Sequence, residues 1–499
     1  MSDSRRRIWT LVLVSVGLFM VVLDNLVVTT ALPSIHASLG TSVQALEWTV
    51  HAYTLSYAVL LLTGAALGDR FGRRRMFMAG IALFTLASVG AALAGTPDEL
   101  IAARAIQGIG AAIATPLTLT LIAAAFPPAQ RGLAIGVWSG ISGIAVALGP
   151  LVGGAVIQLG SWHDIFWINV PVGLALVPLA GRLLAESHGP ARRLDLTGVV
   201  LGSVALFGLV FGLVRSQTLG WGATEVLASL AAGAVLLAAF IVHERRTASP
   251  MLPMEFFARR GFAVTNAISL AMYFGMFGSI FFLSQFIQDV LGNTPLQAGI
   301  KLLVWTGATM VSAPLAGVLS ERFGARLFMA AGLALQAAAL GWLAAEVSVD
   351  QSYVSMIGPF VLAGSGMGLV FAPSANAVLA SVRSDQAGQA SGATNAIREL
   401  GGVLGVAVLA TVFTSHGGYT SPQAFVDGLT PAMWIGTAVL GAGALLPLVL
   451  RFNTREAALA HAAAEAEATP ASPEAQPVQH GEDVGAPAER PISVPAALA

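Results

Sequence analysis

Apolar runs of about twenty residues, separated by short polar, glycine- or proline-containing stretches, recur along almost the whole chain. A helix of that length crosses the hydrocarbon core of a bilayer. The pattern predicts fourteen such helices, near residues 9–31, 48–68, 76–95, 100–126, 132–157, 165–184, 196–215, 222–242, 262–287, 295–319, 327–345, 353–380, 390–415 and 431–450. The first run is longer than the apolar core of a signal peptide, holds Asp24 and Asn25 and is not followed by a convincing cleavage site, so it is expected to stay in the membrane. From about Asn453 the runs stop and Ala, Pro, Glu and Gln take over, which predicts a largely disordered acidic tail with a short helix over 454–467.

Composition agrees with an integral membrane protein. Of 499 residues 56% are hydrophobic and 10% charged, and the mean hydropathy is +0.78; an ordinary soluble enzyme is excluded. The formal charge of −1 provides no basic field for a nucleic acid. Cysteine is absent, which removes disulfides, thiolate metal sites and cysteine nucleophiles together. The arrangement of charge is more informative than its sum. With the N-terminus inside, 20 of the 25 basic residues fall in segments on the cytoplasmic side, and no outside loop clearly holds one. An even number of spans follows, with both termini cytoplasmic.

The chain also repeats itself. Leu67, Asp69, Arg70, Phe71, Gly72 and Arg74 return 252 positions later as Leu319, Glu321, Arg322, Phe323, Gly324 and Arg326, and Gly108, Gly110, Gly132, Gly136 and Gly149 match Gly364, Gly366, Gly388, Gly392 and Gly405. Both copies enter and leave the membrane in the same sense, as in transporters whose halves are related by an axis along the membrane normal. The expected organisation is a cytoplasmic N-terminus (1–8), a six-helix bundle (9–184), two inserted helices with a linker (185–260), a second six-helix bundle (261–451) and the cytoplasmic tail (452–499).

Several ordered motifs carry a family resemblance. They are Leu23-Asp24-Asn25-Leu26-Val27-Val28-Thr29-Thr30-Ala31-Leu32-Pro33, the loop over 65–75, Arg104-Ala105-Ile106-Gln107-Gly108-Ile109-Gly110, the segment from Gly140 to Gly154, and Trp162-His163-Asp164-Ile165-Phe166-Trp167-Ile168-Asn169-Val170-Pro171. In that order, over residues 8–452, they resemble the major facilitator superfamily, and most closely its 14-span drug:proton antiporters. The loop departs from the family pattern at Ala65, where a glycine leads; the second copy has Gly317 there. The resemblance implies an all-α membrane fold of two six-helix bundles plus two inserted helices. It also implies an exporter motif on the fifth span, containing Gly140, Gly149, Pro150, Gly153 and Gly154.

Five residues at membrane depth stand out. Asp24 lies in the outer half of span 1, where a carboxylate is costly unless it faces a partner or a water-filled cavity, and such a group can exchange protons. Arg104 lies at comparable depth on span 4, where its guanidinium favours the ionised carboxylate, and Gln107 is one turn away. The resemblance implies the same role, since the fourth-span arginine is the one associated with proton transfer. Arg398 and Glu399 fall inside span 13, and Lys301, the chain's only lysine, inside span 10. Two readings compete at Glu399: a second protonatable or cation-attracting group, or a structural ion pair with Lys301 or Arg398. In the repeated loops, Asp69, Arg70, Gly72 and Arg73, with Glu321 and Arg322, are expected to form a gate whose acidic residue meets neighbouring helix ends. Asn25, Tyr53, Gln107, Trp138, Gln285, Trp305, Asn395 and Arg398 are candidate walls of a substrate cavity.

No phosphate-binding loop, His-Glu-x-x-His or metal-ligand cluster appears, so neither an enzyme nor a cofactor is expected, and uphill transport would draw on a proton gradient. The expected activity is proton-coupled efflux of a small hydrophobic or cationic compound through the cytoplasmic membrane by a monomer, without nucleic acid. A proton-coupled nutrient symporter and a non-transporting sensor on the same fold are the alternatives.

Overall fold

The computed structural model describes residues 2–40, 43–189, 195–383 and 386–449. The tail over 452–499, and Arg192, Arg193 and Arg451 among the arginines, lie outside the described residues. Among those described there are helices and no strands. Helices α1 (Asp3–Leu39), α2 (Val43–Phe71), α3 (Arg73–Ala92), α4 (Pro97–Ala125), α5 (Pro128–Leu159) and α6 (Asn169–Leu183) precede α7 (Leu196–Leu219) and α8 (Thr224–Arg246). Then follow α9 (Arg260–Gln285), α10 (Pro295–Phe323), α11 (Ala325–Glu346), α12 (Tyr353–Ala380), α13 (Ala387–His416) and α14 (Pro422–Val449). These occupy the places of the fourteen predicted runs, and among the described residues thirteen helices are long and apolar enough to cross a membrane.

The boundaries differ most at the last helix. It begins at Pro422 rather than near 431, because Pro431 lies inside it. The first turns carry Gln423 and Asp427, hydrogen-bonded to each other at 2.9 Å, so the helix starts beyond its apolar stretch. Proline is tolerated within membrane helices when neighbours take up the freed carbonyl. Two starts follow capping boxes. Thr96 and Glu99 close the N-terminus of α4 ahead of Pro97, and Thr294 and Gln297 do the same for α10 ahead of Pro295.

Packing divides the helices into two bundles. In the first, α4 packs on α1, α2 and α3, α5 on α1, and α6 on α3; in the second, α12 packs on α10 and α11, α13 on α9, and α14 on α9, α11 and α13. The halves meet through α5 with α10 and through α2 with α13. The inserted pair packs on itself, and α7 also touches α2 and α13. Small residues set the closeness of the first seam. A Cβ on Gly136 would stand 2.6 Å from Cα of Pro314, and one on Gly143 would stand 3.3 Å from the Thr309 side chain. Farther along α5, Gly149 and Gly153 face Leu26 and Thr30 of α1, while Gly154 approaches Leu296 at 3.6 Å. The candidate exporter residues therefore serve two seams: Gly140 faces Met310 of the other half, whereas Gly149 and Gly153 face α1. The side chain of Pro150 lies outside the described residues.

Candidate functional site

Residues from five helices converge on Asp24. The capping box fixes where α4 begins, and seven residues further on, about 10 Å along the axis, Arg104 enters the first bundle. Its Nη1 forms an ion pair with Asp24, and both side chains are sealed from solvent, at 0% and 1% exposure. The same nitrogen donates to Oε1 of Gln107 at 2.9 Å, and Nε donates to the Thr49 carbonyl at 3.3 Å. Gln107, three residues along on the same helix face, turns its Nε2 to Ser88 Oγ at 2.7 Å and to Asp24 at 3.3 Å. Asn169, the first residue of α6, donates from Nδ2 to Asp24 Oδ1 at 2.7 Å. The guanidinium carbon lies 4.2 Å from the ring centre of Tyr53, whose hydroxyl donates to the Val21 carbonyl at 3.2 Å.

Arg104, Gln107 and Asn169 all donate to Asp24, so both carboxylate oxygens are satisfied within the bundle. The sequence alone does not single out Asn169 or Ser88 as site residues. Asn169 was visible only as a letter of the motif entering span 6, and nothing marked Ser88.

The second bundle does not repeat this device. Trp305 lies 252 positions after Tyr53, and Gly364, which packs on Trp305, lies 256 after Gly108, which packs on Tyr53. The position equivalent to Arg104 is Phe360, which meets the Trp305 ring at 5.9 Å. An apolar ring pair thus stands where the first half has an arginine over a tyrosine.

Between the bundles lies a cavity of about 80 Å3. Asn25, Tyr53, Trp138, Asn395 and Arg398 line it, as does Glu399. The other expected cavity residues lie elsewhere, each for a local reason. Gln107 is bound within the Asp24 cluster, Trp305 is held against Phe360, and Gln285 donates to its own helix at the Phe281 carbonyl, 3.3 Å away. Arg398 donates from Nη2 to Ser374 Oγ at 3.0 Å and lies against the rings of Phe371 and Tyr273. Among the described residues Glu399 forms no ion pair. Lys301 is held instead by Asn293 Oδ1 at 2.7 Å and the face of Tyr353, which removes it as a partner. Glu399 thus lines the cavity without the ion pair to Lys301 or Arg398 that the second reading expected.

The arginine-rich end is closed by the two repeated loops. Gly72 has φ +103° and Gly324 φ +93°, and these left-handed turns let α2 run into α3 and α10 into α11 with almost no loop. Glu321 Oε1 accepts from the backbone N–H of Gly132 at 2.9 Å, at the start of α5. Its counterpart Asp69 pairs with Arg73 at 2.7 Å, and its carboxylate lies against Gly388 at the start of α13. Gly132 and Gly388 are themselves repeat equivalents, so each acidic residue meets the N-terminal turn of the other bundle's helix, where exposed N–H groups and the helix dipole favour an anion. Arg70 and Arg322 lie over Phe71 and Phe323 at 5.6 and 5.5 Å. Ser391 Oγ adds a 3.0 Å hydrogen bond from α13 to the Pro116 carbonyl of α4.

Comparison with known proteins supplies context for this geometry. The chain matches the family model of the Major Facilitator Superfamily over residues 14–281 and 265–482. It is 34% identical to the tetracenomycin C resistance and export protein of Streptomyces glaucescens, over 94% of this chain and 84% of that protein. It is 36% identical to the puromycin resistance protein of Streptomyces alboniger, over 94% and 95%. Among solved structures, a proton:xylose symporter superposes with a TM-score of 0.67 at 16% identity, over 91% of this chain and 97% of the other; this likeness concerns the fold.

Proposed function

The chain belongs to the major facilitator superfamily, and on that premise we propose that it expels a small antibiotic or drug-like compound from the cell in exchange for protons. It is a multi-pass protein of the plasma membrane, and it is a transporter rather than an enzyme. The relatives named as resistance and export proteins align over nearly the whole chain, and this carries the direction of transport.

Alternating access supplies the mechanism. The cavity lies at the seam of the two bundles, and the contacts of Asp69 and Glu321 hold one end of that seam shut. Releasing those contacts while closing the other end would exchange the side from which the cavity is reached. Asp24 is the group we assign to the transported proton. Arg104, Gln107 and Asn169 donate to its carboxylate in this arrangement, and movement of α1 against α4 would remove those donors and leave the carboxylate open to a proton. Glu399 provides a counter-charge for a cationic centre, and the aromatic walls accept a hydrophobic body. A monomer contains all of these parts, and the energy source is the proton gradient.

Counterflow in proteoliposomes with an imposed pH gradient tests the proposal. Dyes and antibiotics are screened for gradient-driven movement, and substrate addition is expected to release protons. Accumulation of substrate against its own gradient in the direction of proton flow would indicate a symporter and overturn the assignment; binding without flux would indicate a sensor.

A further inference from the structure

The cavity holds a buried arginine that, unlike Arg104 in the Asp24 cluster, has no carboxylate paired with it among the described residues. Arg398 is 2% exposed and lines the cavity. Nη2 is used by Ser374, but Nε has no hydrogen-bond partner among the described residues. The guanidinium carbon lies 5.0 Å from the ring centre of Phe371 and 5.7 Å from that of Tyr273. Ring faces offset part of the cost of burying a cation, but a charged group of this kind is normally retained at membrane depth for a partner. Glu399, the next residue, forms no ion pair with it.

Helix packing does not require the arginine. The repeat places Ser142 of α5 at the position equivalent to Arg398, and Ser142 lines the same cavity as a neutral residue. The fold therefore accommodates a short polar side chain there. What Arg398 adds is a guanidinium beside aromatic walls, where Tyr273 stacks on Phe277 at 5.1 Å and Tyr53 on Tyr57 at 5.9 Å. A guanidinium is suited to an acidic oxygen, and stacked rings are suited to a flat molecule.

We propose that Arg398 is the binding site for an acidic oxygen, a carboxylate or ionised phenol, carried by an aromatic substrate. Glu399 limits the substrate to one such group on that side and favours an amine or a neutral donor next to it. This assignment rests on the export reading for its biological meaning, but binding is measurable without transport.

The test uses the purified full-length protein and calorimetric titration with two probes of matched size, 1-hydroxy-2-naphthoate and 1-naphthylmethylammonium. The wild type is expected to bind the naphthoate. Arg398→Gln should weaken that binding at least tenfold and leave the ammonium probe within about twofold, while Arg398→Lys should restore part of the loss. Ser142→Glu, which adds a carboxylate to the cavity and leaves Arg398 in place, should weaken the naphthoate and strengthen the ammonium probe, and it serves if Arg398→Gln does not fold. The proposal is overturned if the wild type does not bind the naphthoate, if Arg398→Gln binds it within twofold of wild type, or if both probes are lost alike from a folded variant. Binding of the naphthoate without flux of any compound in vesicles would sink the export reading and leave this site standing; flux of other compounds without naphthoate binding would do the reverse.

Discussion

Glu399 stands on α13 at the position that Gly143 occupies on α5, 256 residues earlier. Gly143 lets α5 close on Thr309 of α10, whereas Glu399 lines the cavity together with Tyr57, which is itself the equivalent of Thr309. One seam between the bundles is thus tight where the other accommodates a charged side chain. The repeat supplies the same backbone frame twice, and differences such as Glu399 for Gly143 make its two sides unequal.

Enlarging the tight seam should stop the transport cycle. Gly136→Leu would drive a side chain toward the Pro314 backbone, where even a Cβ would stand 2.6 Å from Cα. Overpacking of this kind costs about 1–3 kcal/mol. The variant is expected to insert in the membrane with a lower melting temperature and little efflux; wild-type efflux from a stable Gly136→Leu protein would show that the seam tolerates separation.

Asp24→Asn should remove efflux driven by a pH gradient, down to the level of protein-free vesicles, while leaving membrane insertion intact. The amide cannot carry the proton, but its one oxygen, placed at the position of Oδ1, can still accept from Asn169 and Gln107. Unchanged gradient-driven efflux in vesicles would refute the assignment of Asp24.

Arg104→Gln is expected to be the more damaging change to the fold. It leaves a carboxylate in a site with almost no solvent access, and breaking a buried pair from one side costs about 3–5 kcal/mol. Thermal melting in detergent should fall well below that of Asp24→Asn. The double variant Asp24→Asn with Arg104→Gln should recover part of the loss, and equal melting temperatures for all three would contradict the pairing.

Asn169→Leu should impair efflux through Asp24 without touching the cavity. It removes one charge-assisted donor at 2.7 Å, an interaction of about 1.5–3 kcal/mol. Initial rates at fixed gradient are expected to fall roughly tenfold or more on that basis, and Asn169→Ser, which keeps a donor, should retain more activity. Substrate affinity measured without a gradient should be unchanged; a selective loss of affinity would place Asn169 in the substrate site instead.

The absence of cysteine permits a direct test of the gate. Ser391→Cys puts a thiol at the contact of α13 with Pro116, at the closed end. Labelling by an impermeant maleimide from the arginine-rich side should be slow, and severalfold faster when Asp69→Asn and Glu321→Gln are combined with it. Equal rates would mean that these carboxylates do not hold the end closed.

Much of the architecture was legible in the sequence because a bilayer imposes a simple rule: each crossing must be long, apolar and internally hydrogen-bonded. Helix number, the inserted pair and the two halves follow from run length, charge placement and the 252-residue shift. Asp24 and Arg104 were legible for the same reason, since charge at membrane depth is conspicuous. Their partners Ser88 and Asn169 were not, because small neutral polar residues are common in such helices and carry no signal until their neighbours are known.

The sequence also could not distribute its polar and aromatic residues between cavity and core. Gln107 and Asn395, or Trp138 and Trp305, are equivalent as residue types. Tertiary packing decides that Gln107 belongs to the Asp24 cluster and Asn395 to the cavity, and that Trp138 faces the cavity while Trp305 is held against Phe360. The apolar pattern along the chain determines which segments enter the membrane, since that depends on the composition of each segment alone. Which face of a helix meets water, lipid or another helix depends on residues hundreds of positions away, and only the assembled bundles settle it.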